Sequence, residues 1–220
     1  MSASGRGGTR MVVLCEGETE KIAVEQFLRR QWDEDGLAHI ALHPIDLQGK
    51  LEEIGDRAVR YLKDESVRAV FTLVDFQGMN RVEHGRGDSP AQGVERVAEW
   101  IRRRGGRECR GFLHAHVCVH QTEAWILAEG RALSRRLHDG SVKPDPNAEE
   151  KDFDKPPAAR LNEMFKRARG DGYQKIRDGR PLFEAMSFHP VYESCPHFRA
   201  FYDDLKSAAQ AASPEAGPEG

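Results

Sequence analysis

The chain has 220 residues, of which 31% are charged and 39% hydrophobic, a composition typical of a soluble globular protein. Its formal net charge of −3 gives no overall basic signal for nucleic acid, and no apolar stretch approaches the ~18 residues that would cross a bilayer. The four cysteines lack C-x-x-C spacing, so we expect no zinc site. Without a membrane span or a secretory signal we expect a cytoplasmic location, where the cysteines would remain thiols. The Gly/Ser/Arg-rich segment 1–10 has no apolar core, and we expect it to be disordered.

The first predicted strand is the apolar run 11–14, and a helix follows it after the acidic stretch 16–20. Apolar residues recur at helical spacing over 23–28, which predicts a helix that ends near residue 32. Between the two elements, Gly17 is expected to allow a turn or a close approach that a Cβ atom would obstruct.

Three further strands are predicted at 39–45, 67–74 and 112–120, with helices at 51–62 and 94–104 between them. The run 67–74 is almost continuously apolar and β-branched, which is typical of a central strand buried on both faces. Because strands alternate with helices, we predict an α/β domain over residues 11–130, with a mainly parallel four-stranded sheet flanked by helices.

The pattern changes after a short helix predicted at 124–128. Helical pieces at 132–137, 158–169, 181–187 and 197–206 are separated by links rich in Pro and Gly. We interpret residues 131–207 as a C-terminal helical subdomain packed on the α/β core. The tail 208–220 contains Ala, Ser, Pro, Glu and Gly, and is expected to be disordered.

Carboxylates fall at comparable places along this order. Glu16 follows the first strand, Asp75 ends the central strand, and Glu123 opens the helix after the fourth, while Glu20 lies in the first turn of the first helix. Since the carboxyl ends of parallel strands share one edge of a sheet, these groups are expected to converge there. Hard oxygen ligands suit Mg²⁺ or Mn²⁺. The alternatives are a turn-forming role for Asp75 and a helix-dipole role for Glu123.

A basic segment follows, with nine Lys or Arg against five Asp or Glu between residues 151 and 180. Lys155, presented by two prolines, and Lys175, in a linker flanked by glycines, are candidates to contact phosphate, with ordinary surface lysines as the alternative. His197 is a candidate phosphate contact or proton donor, and His120 is a candidate catalytic residue near Glu123. A structural role is the alternative for both histidines.

The stretch Glu16-Gly17-x-Thr19-Glu20 after a strand, with Val74-Asp75 at the end of a later one, resembles the Toprim fold of topoisomerases, primases and OLD-type nucleases. Residues 11–206 resemble more narrowly an uncharacterised bacterial Toprim-like family, a domain of unknown function. The further matching blocks are Gly78 after Asp75, the run 119–125 (VHQTEAW), 155–157 (KPP) and 195–198 (CPHF).

The resemblance implies that Glu16 is a metal ligand or general acid/base and that Glu20 matches a further acidic residue of the OLD-type branch. With Asp75, and with Glu123 as an auxiliary ligand, they would form a Mg²⁺ or Mn²⁺ site. It also implies a setting in defence or mobile loci, beside an ABC/AAA-type ATPase. Because this chain has no G-x-x-x-x-G-K-[ST] loop, any ATP hydrolysis would have to come from that partner. One departure concerns the second metal: Toprim proteins usually carry D-x-D where this chain has Asp75-Phe76-Gln77. A neutral amide does not supply a carboxylate's charge, so a second ion would need Glu20, Glu123 or substrate phosphates.

Two functions of different classes follow. The first is a metal-dependent nuclease acting on DNA or RNA, with Glu16, Asp75, His120 and Lys155 as catalytic residues and the basic segment guiding the backbone. The second is a non-catalytic adaptor or sensor that docks on a partner ATPase. Hydrolysis of a small nucleotide and assembly into a homo-oligomer remain open alternatives.

Overall fold

In the computed structural model, the described residues are 8–75, 113–118, 122–149 and 155–211, with positions 92, 95, 99 and 101–103 of a further helical segment. The described strands form a parallel sheet in the order β2-β1-β3-β4, and β5 also pairs with β3. Their bounds are β1 Arg10–Cys15, β2 Ala41–Asp46, β3 Val67–Asp75, β4 Leu113–His114 and β5 Val117–Cys118. The predicted α/β architecture with a parallel sheet flanked by helices is confirmed.

The predicted fourth strand is divided into β4 and β5, which pair with β3 at different points. The division has a local cause at Thr72 of β3. Its hydroxyl oxygen accepts a hydrogen bond from the backbone N–H of His116 at 3.0 Å and donates one to the His116 carbonyl at 2.9 Å. Between the two short strands, the Thr72 side chain thus takes the place of the backbone hydrogen bonds of the sheet. A pattern of apolar residues does not reveal such a contact.

The helices of the first half connect the strands as the alternation predicted. After β1 the chain is helical from residue 18 to 34, as α1 (Glu18–Ile22), a π-helical segment (Ala23–Leu28) and α2 (Arg29–Glu34). After β2, a single 3-10 turn (Leu51–Glu53) leads into α3 (Ile54–Leu62). The predicted helix 94–104 lies mostly outside the described residues, although its described positions are helical.

Six helices follow β5 within the described residues: α4 Glu123–Glu129, α5 Arg131–Leu137, α6 Pro157–Arg169, α7 Lys175–Ala185, α8 Phe188–Ser194 and α9 Pro196–Gln210. Two differ from the prediction. The helix expected at 181–187 begins six residues earlier, with Pro181 inside it, and α8 was not predicted. Gly130 joins α4 to α5 with φ +62°, and a Cβ there would lie 2.7 Å from the backbone nitrogen of Pro144.

The sheet is buried on both faces, as its continuous apolar strands predicted. Met11, Val13 and Phe71 face a large hydrophobic cluster that also contains side chains of the π-helical segment and of α4 to α9. Val12 and Val70 face a second cluster with α3. Aromatic rings join the C-terminal helices to the first half of the chain, for example Phe27 to Phe198, with ring centroids 5.6 Å apart.

Both chain ends differ from the expected disorder where they are described. Residues 8–10 contact the sheet, because the backbone N–H groups of Thr9 and Arg10 donate to the Ser66 carbonyl. At the other end α9 continues to Gln210, since Ala209 is buried and its carbonyl accepts a hydrogen bond from Arg68. Residues 1–7 and 212–220 lie outside the described part of the chain. Among the described helices, none is long and apolar enough to span a membrane.

Candidate functional site

Glu16 and Asp75 meet at the carboxyl edge of the sheet. The backbone N–H of Glu16 donates to the Leu73 carbonyl at 3.2 Å, which extends the pairing of β1 with β3 by one residue. The carboxylate of Glu16 in turn accepts a hydrogen bond from the backbone N–H of Asp75, the last residue of β3, at 2.8 Å. Asp75 itself is buried, at 8% exposure. The strand order therefore brings together two acidic residues that are 59 positions apart in the sequence.

Glu20 points back toward the start of its own helix. Its Oε2 accepts the backbone N–H of Gly17 at 3.1 Å, and its Oε1 accepts the hydroxyl of Thr122 at 3.3 Å. The first bond is a capping interaction that satisfies an N–H at the helix start. The expected conformational need for Gly17 is wrong, because its φ of −149° is ordinary extended backbone and a Cβ would make an ordinary contact, 3.6 Å from Glu20.

Glu123 is fully buried at the first position of α4. The ammonium of Lys175, at the start of α7, lies 3.2 Å from its Oε1 and forms an ion pair with it. Neither carboxylate oxygen of Glu123 accepts a hydrogen bond from a described residue. Burying a carboxylate that accepts no hydrogen bond is unfavourable in free energy unless a cation compensates its charge.

The charges of the cluster act on one another. Burial and the negative charge of Glu123 raise the pKa of Glu20 from 4.5 to about 8, and Glu16 adds to the same effect. Burial would lower the pKa of Lys175, but the charges of Glu123 and Glu20 outweigh it and raise the pKa. Close like charges in a low-dielectric site favour protonation or a bound cation. Without a bound cation, Glu20 therefore keeps its proton at neutral pH, while Lys175 lies at ion-pair distance from Glu123.

The donor chemistry suits Mg²⁺ or Mn²⁺, because the converging groups are carboxylates. Within the described ranges, however, no three His, Cys, Asp or Glu side chains are grouped so that they could hold an ion. The carboxylates are already engaged in other contacts, which accounts for part of this absence. Glu16 accepts a hydrogen bond from the backbone of Asp75. Glu20 accepts hydrogen bonds from Gly17 and Thr122, and Glu123 faces Lys175. The residues agree with such an ion in ligand type, and binding would require these contacts to rearrange.

The basic segment carries less free charge than its composition suggests. Lys155 is half exposed and pairs with Glu163 of α6, and no described contact joins it to the carboxylate cluster. Arg169 and Arg177 both pair with Asp171 and with the buried Asp178. Most described cations of the segment are thus already in ion pairs. The phosphate-binding and catalytic roles of Lys155 remain predictions.

The backbone at His197 has a structural partner, the carboxylate of Glu149. The N–H groups of His197 and Phe198 donate to it at 2.9 and 3.3 Å, and the indole N–H of Trp125 donates at 3.3 Å. Glu149 is buried and caps α9 from a distant part of the chain. The contact joins the Cys-Pro-His-Phe block to the Trp of the Thr-Glu-Ala-Trp block, and the proposed phosphate role of the His197 side chain stays a prediction.

Two predicted features, His120 and Gln77, lie outside the described residues, and Gly78 lies there with them. Sequence reasoning missed Tyr173, whose buried hydroxyl has no hydrogen-bond partner among the described residues. Burial and the charges of Glu123, Asp178 and Glu20 raise the pKa of Tyr173. Its only sequence signal is its position in a glycine-flanked turn two residues before Lys175.

Residues 15–206 match a family model described as "Domain of unknown function (DUF4276)". No curated protein matches the chain. Among solved structures, the chain is similar to the C-terminal region of the Xanthomonas campestris pv. campestris OLD protein, at 14% identity and a TM-score of 0.44, over 92% of this chain and 95% of that one. The C-terminal region of the Burkholderia pseudomallei OLD protein gives 10% identity and a TM-score of 0.43, over 92% and 98%.

Proposed function

The chain belongs to the DUF4276 family, and we propose that it is a metal-dependent phosphodiesterase, a Toprim-type nuclease that acts on DNA or RNA. The observation that carries the proposal is the contact of Glu16 with Asp75 at one edge of a parallel sheet, with the buried Glu20 and Glu123 close enough to act on the same region electrostatically. Glu16 bonds to the backbone of Asp75, and the charges of Glu123 and Glu16 raise the pKa of Glu20. Ligands of open α/β sheets bind at this edge.

In this proposal Glu16, Glu20, Asp75 and Glu123 hold Mg²⁺ or Mn²⁺. A bound divalent ion supplies activation of water and stabilisation of charge on a phosphodiester. Glu16 is oriented for its role as ligand or base, because one carboxylate oxygen is fixed by the Asp75 N–H at 2.8 Å. Thr122 and Gly17 orient Glu20 in the same way, through its two carboxylate oxygens.

Positive charge for the substrate comes from the start of α7. Lys175 lies beside the carboxylates with its side chain 48% exposed, so it can reach a phosphate at the mouth of the site. Lys155 and the side chain of His197 are further proposed contacts of the nucleic-acid backbone, and His120 a proposed catalytic residue. An ABC/AAA-type ATPase is the proposed partner that would control the activity.

The second candidate is a non-catalytic adaptor that docks on such an ATPase. One observation favours it: within the described ranges no three potential ligands are already grouped around an ion position. Calorimetry separates the two functions. Divalent binding at millimolar concentration or tighter supports the nuclease, whereas no binding together with a stable ATPase complex supports the adaptor.

The nuclease itself is tested by cleavage of DNA and RNA panels with Mg²⁺ or Mn²⁺. We expect Glu16→Gln and Asp75→Asn to lose at least about 100-fold in rate, since positioned acid–base groups alone contribute ~10²–10⁴. Glu18→Gln is the matched control. It changes a carboxylate in the same turn whose partners are Lys21 and Arg180 on the surface, and it should retain activity. Equal rates in all four proteins would refute the assignment.

A further inference from the structure

The ammonium of Lys175 lies beside a buried carboxylate, that of Glu123. Its ammonium lies 3.2 Å from Oε1 of Glu123, whose side chain is fully buried, while Lys175 itself is 48% exposed. Glu20, at 7% exposure, lies beside Glu123, because the hydroxyl of the preceding residue, Thr122, donates to Oε1 of Glu20 at 3.3 Å. A single ammonium thus serves a site with two buried carboxyl groups, of which Glu123 is at ion-pair distance.

The backbone of Lys175 is fixed although its side chain reaches solvent. Asp178, fully buried one turn further along α7, accepts the backbone N–H of Gln174 at 2.9 Å. Arg177 and Arg169 donate to the same carboxylate at 2.9 and 3.1 Å. The start of α7 is therefore anchored independently of Glu123. The ammonium of Lys175 can leave Glu123 by side-chain rotation, without movement of the helix.

We propose that Lys175 occupies the cation position of Glu20 and Glu123 in the metal-free protein, and that a divalent ion binds by displacing its ammonium. This inference rests on the proposed metal-dependent function. A doubly charged ion compensates both buried carboxylates where the ammonium compensates one, which is the driving force for the exchange. Once displaced, the half-exposed Lys175 is available for a phosphate of the substrate. Metal binding then prepares the site for the nucleic acid.

The test is calorimetry of Mn²⁺ with the full chain, comparing the wild type with Lys175→Gln. Removal of a competing cation should tighten Mn²⁺ binding at least about fivefold, the lower end of ordinary coupling between two ligands. Arg180→Gln is the matched control, because Arg180 lies on the same helix and pairs with Glu18, 3.8 Å away. It removes the same charge from the region without removing a competitor, and it should shift the affinity much less.

A double variant makes the test specific for the contact and keeps it usable if the single variant is unstable. In a Glu123→Gln background the ammonium has lost its partner at 3.2 Å, so adding Lys175→Gln should tighten Mn²⁺ binding less than it does in the wild-type background. Unchanged or weaker binding in the Lys175→Gln protein, or an equal gain in Arg180→Gln, would overturn the displacement while leaving the proposed function intact. No Mn²⁺ binding by any of the proteins would overturn both.

Discussion

Glu20→Gln should stabilise the metal-free protein at alkaline pH while it abolishes the metal site. The amide keeps nearly the shape of the carboxylate, and its oxygen can still accept the backbone N–H of Gly17. It removes the charge that burial and Glu123 make unfavourable. Substitution of this proposed metal ligand is therefore expected to raise the free energy of unfolding, the reverse of most substitutions.

The size of the expected stability difference follows from the pKa of Glu20, which is 4.5 ordinarily and about 8 in the folded protein. An acid with a raised pKa binds its proton more tightly when folded, so ionisation destabilises the folded state as the pH rises. The penalty is absent below pH 4.5, grows between pH 4.5 and 8, and is complete above 8. At about 1.4 kcal/mol for each pKa unit it approaches a limit on the order of 5 kcal/mol.

The assay is urea unfolding in a metal chelator between pH 5 and 8.5, followed by tryptophan fluorescence. Wild type and Glu20→Gln should differ little at pH 5, and the variant should be more stable by about 2–5 kcal/mol at pH 8.5. Glu18→Gln, half-exposed in the same turn, should follow the wild type throughout. A Glu20→Gln protein that is less stable at pH 8.5, or whose advantage does not grow with pH, would refute this account of the buried charge.

Two further substitutions test the supports of the site. Glu149→Ala should lower the free energy of unfolding by about 3 kcal/mol, because the buried N–H groups of Phe198 and Trp125 lose their acceptor. Urea unfolding measures the loss, and a change below about 0.5 kcal/mol would contradict the capping role. Asp178→Ala should lower the melting temperature by several degrees, since the backbone N–H of Gln174 and the guanidinium groups of Arg169 and Arg177 lose a buried acceptor, although both arginines keep Asp171. It should also weaken the Lys175 contact, visible as altered Mn²⁺ affinity in calorimetry, and an unchanged melting temperature would contradict the anchoring of α7.

The strands and their terminal acids could be predicted because they depend on local pattern. A parallel strand buried on both faces must be apolar along its length, and residues 67–74 are. Once strand order is accepted, Glu16 and Asp75 fall on one sheet edge without any knowledge of side-chain contacts. Their hydrogen bond at 2.8 Å agrees with that expectation.

The rest of the site depends on contacts between distant residues, which leave no periodic signal. Lys175 was expected on a linker because Pro181 was interpreted as a helix start, yet the helix begins at Lys175 and brings it to Glu123. Glu149 has no recognisable spacing from the helix that it caps 47 residues later. The division of the fourth strand depends on one hydroxyl, that of Thr72. In each case a single polar side chain determines the local structure.

The unfavourable free energy of burying Glu20 and Glu123 together helps to choose between the nuclease and the adaptor. Glu20 and Glu123 are buried together, Glu123 accepts no hydrogen bond from a described residue, and one half-exposed lysine offsets their charge. A docking module gains nothing from this arrangement, because a glutamine at either position would retain the shape without the desolvated charge. Local rules of stability are broken mainly at functional sites. The burial of two carboxyl groups beside one lysine is thus an argument for a cation-binding role, and it favours the nuclease over the adaptor as the function to test first.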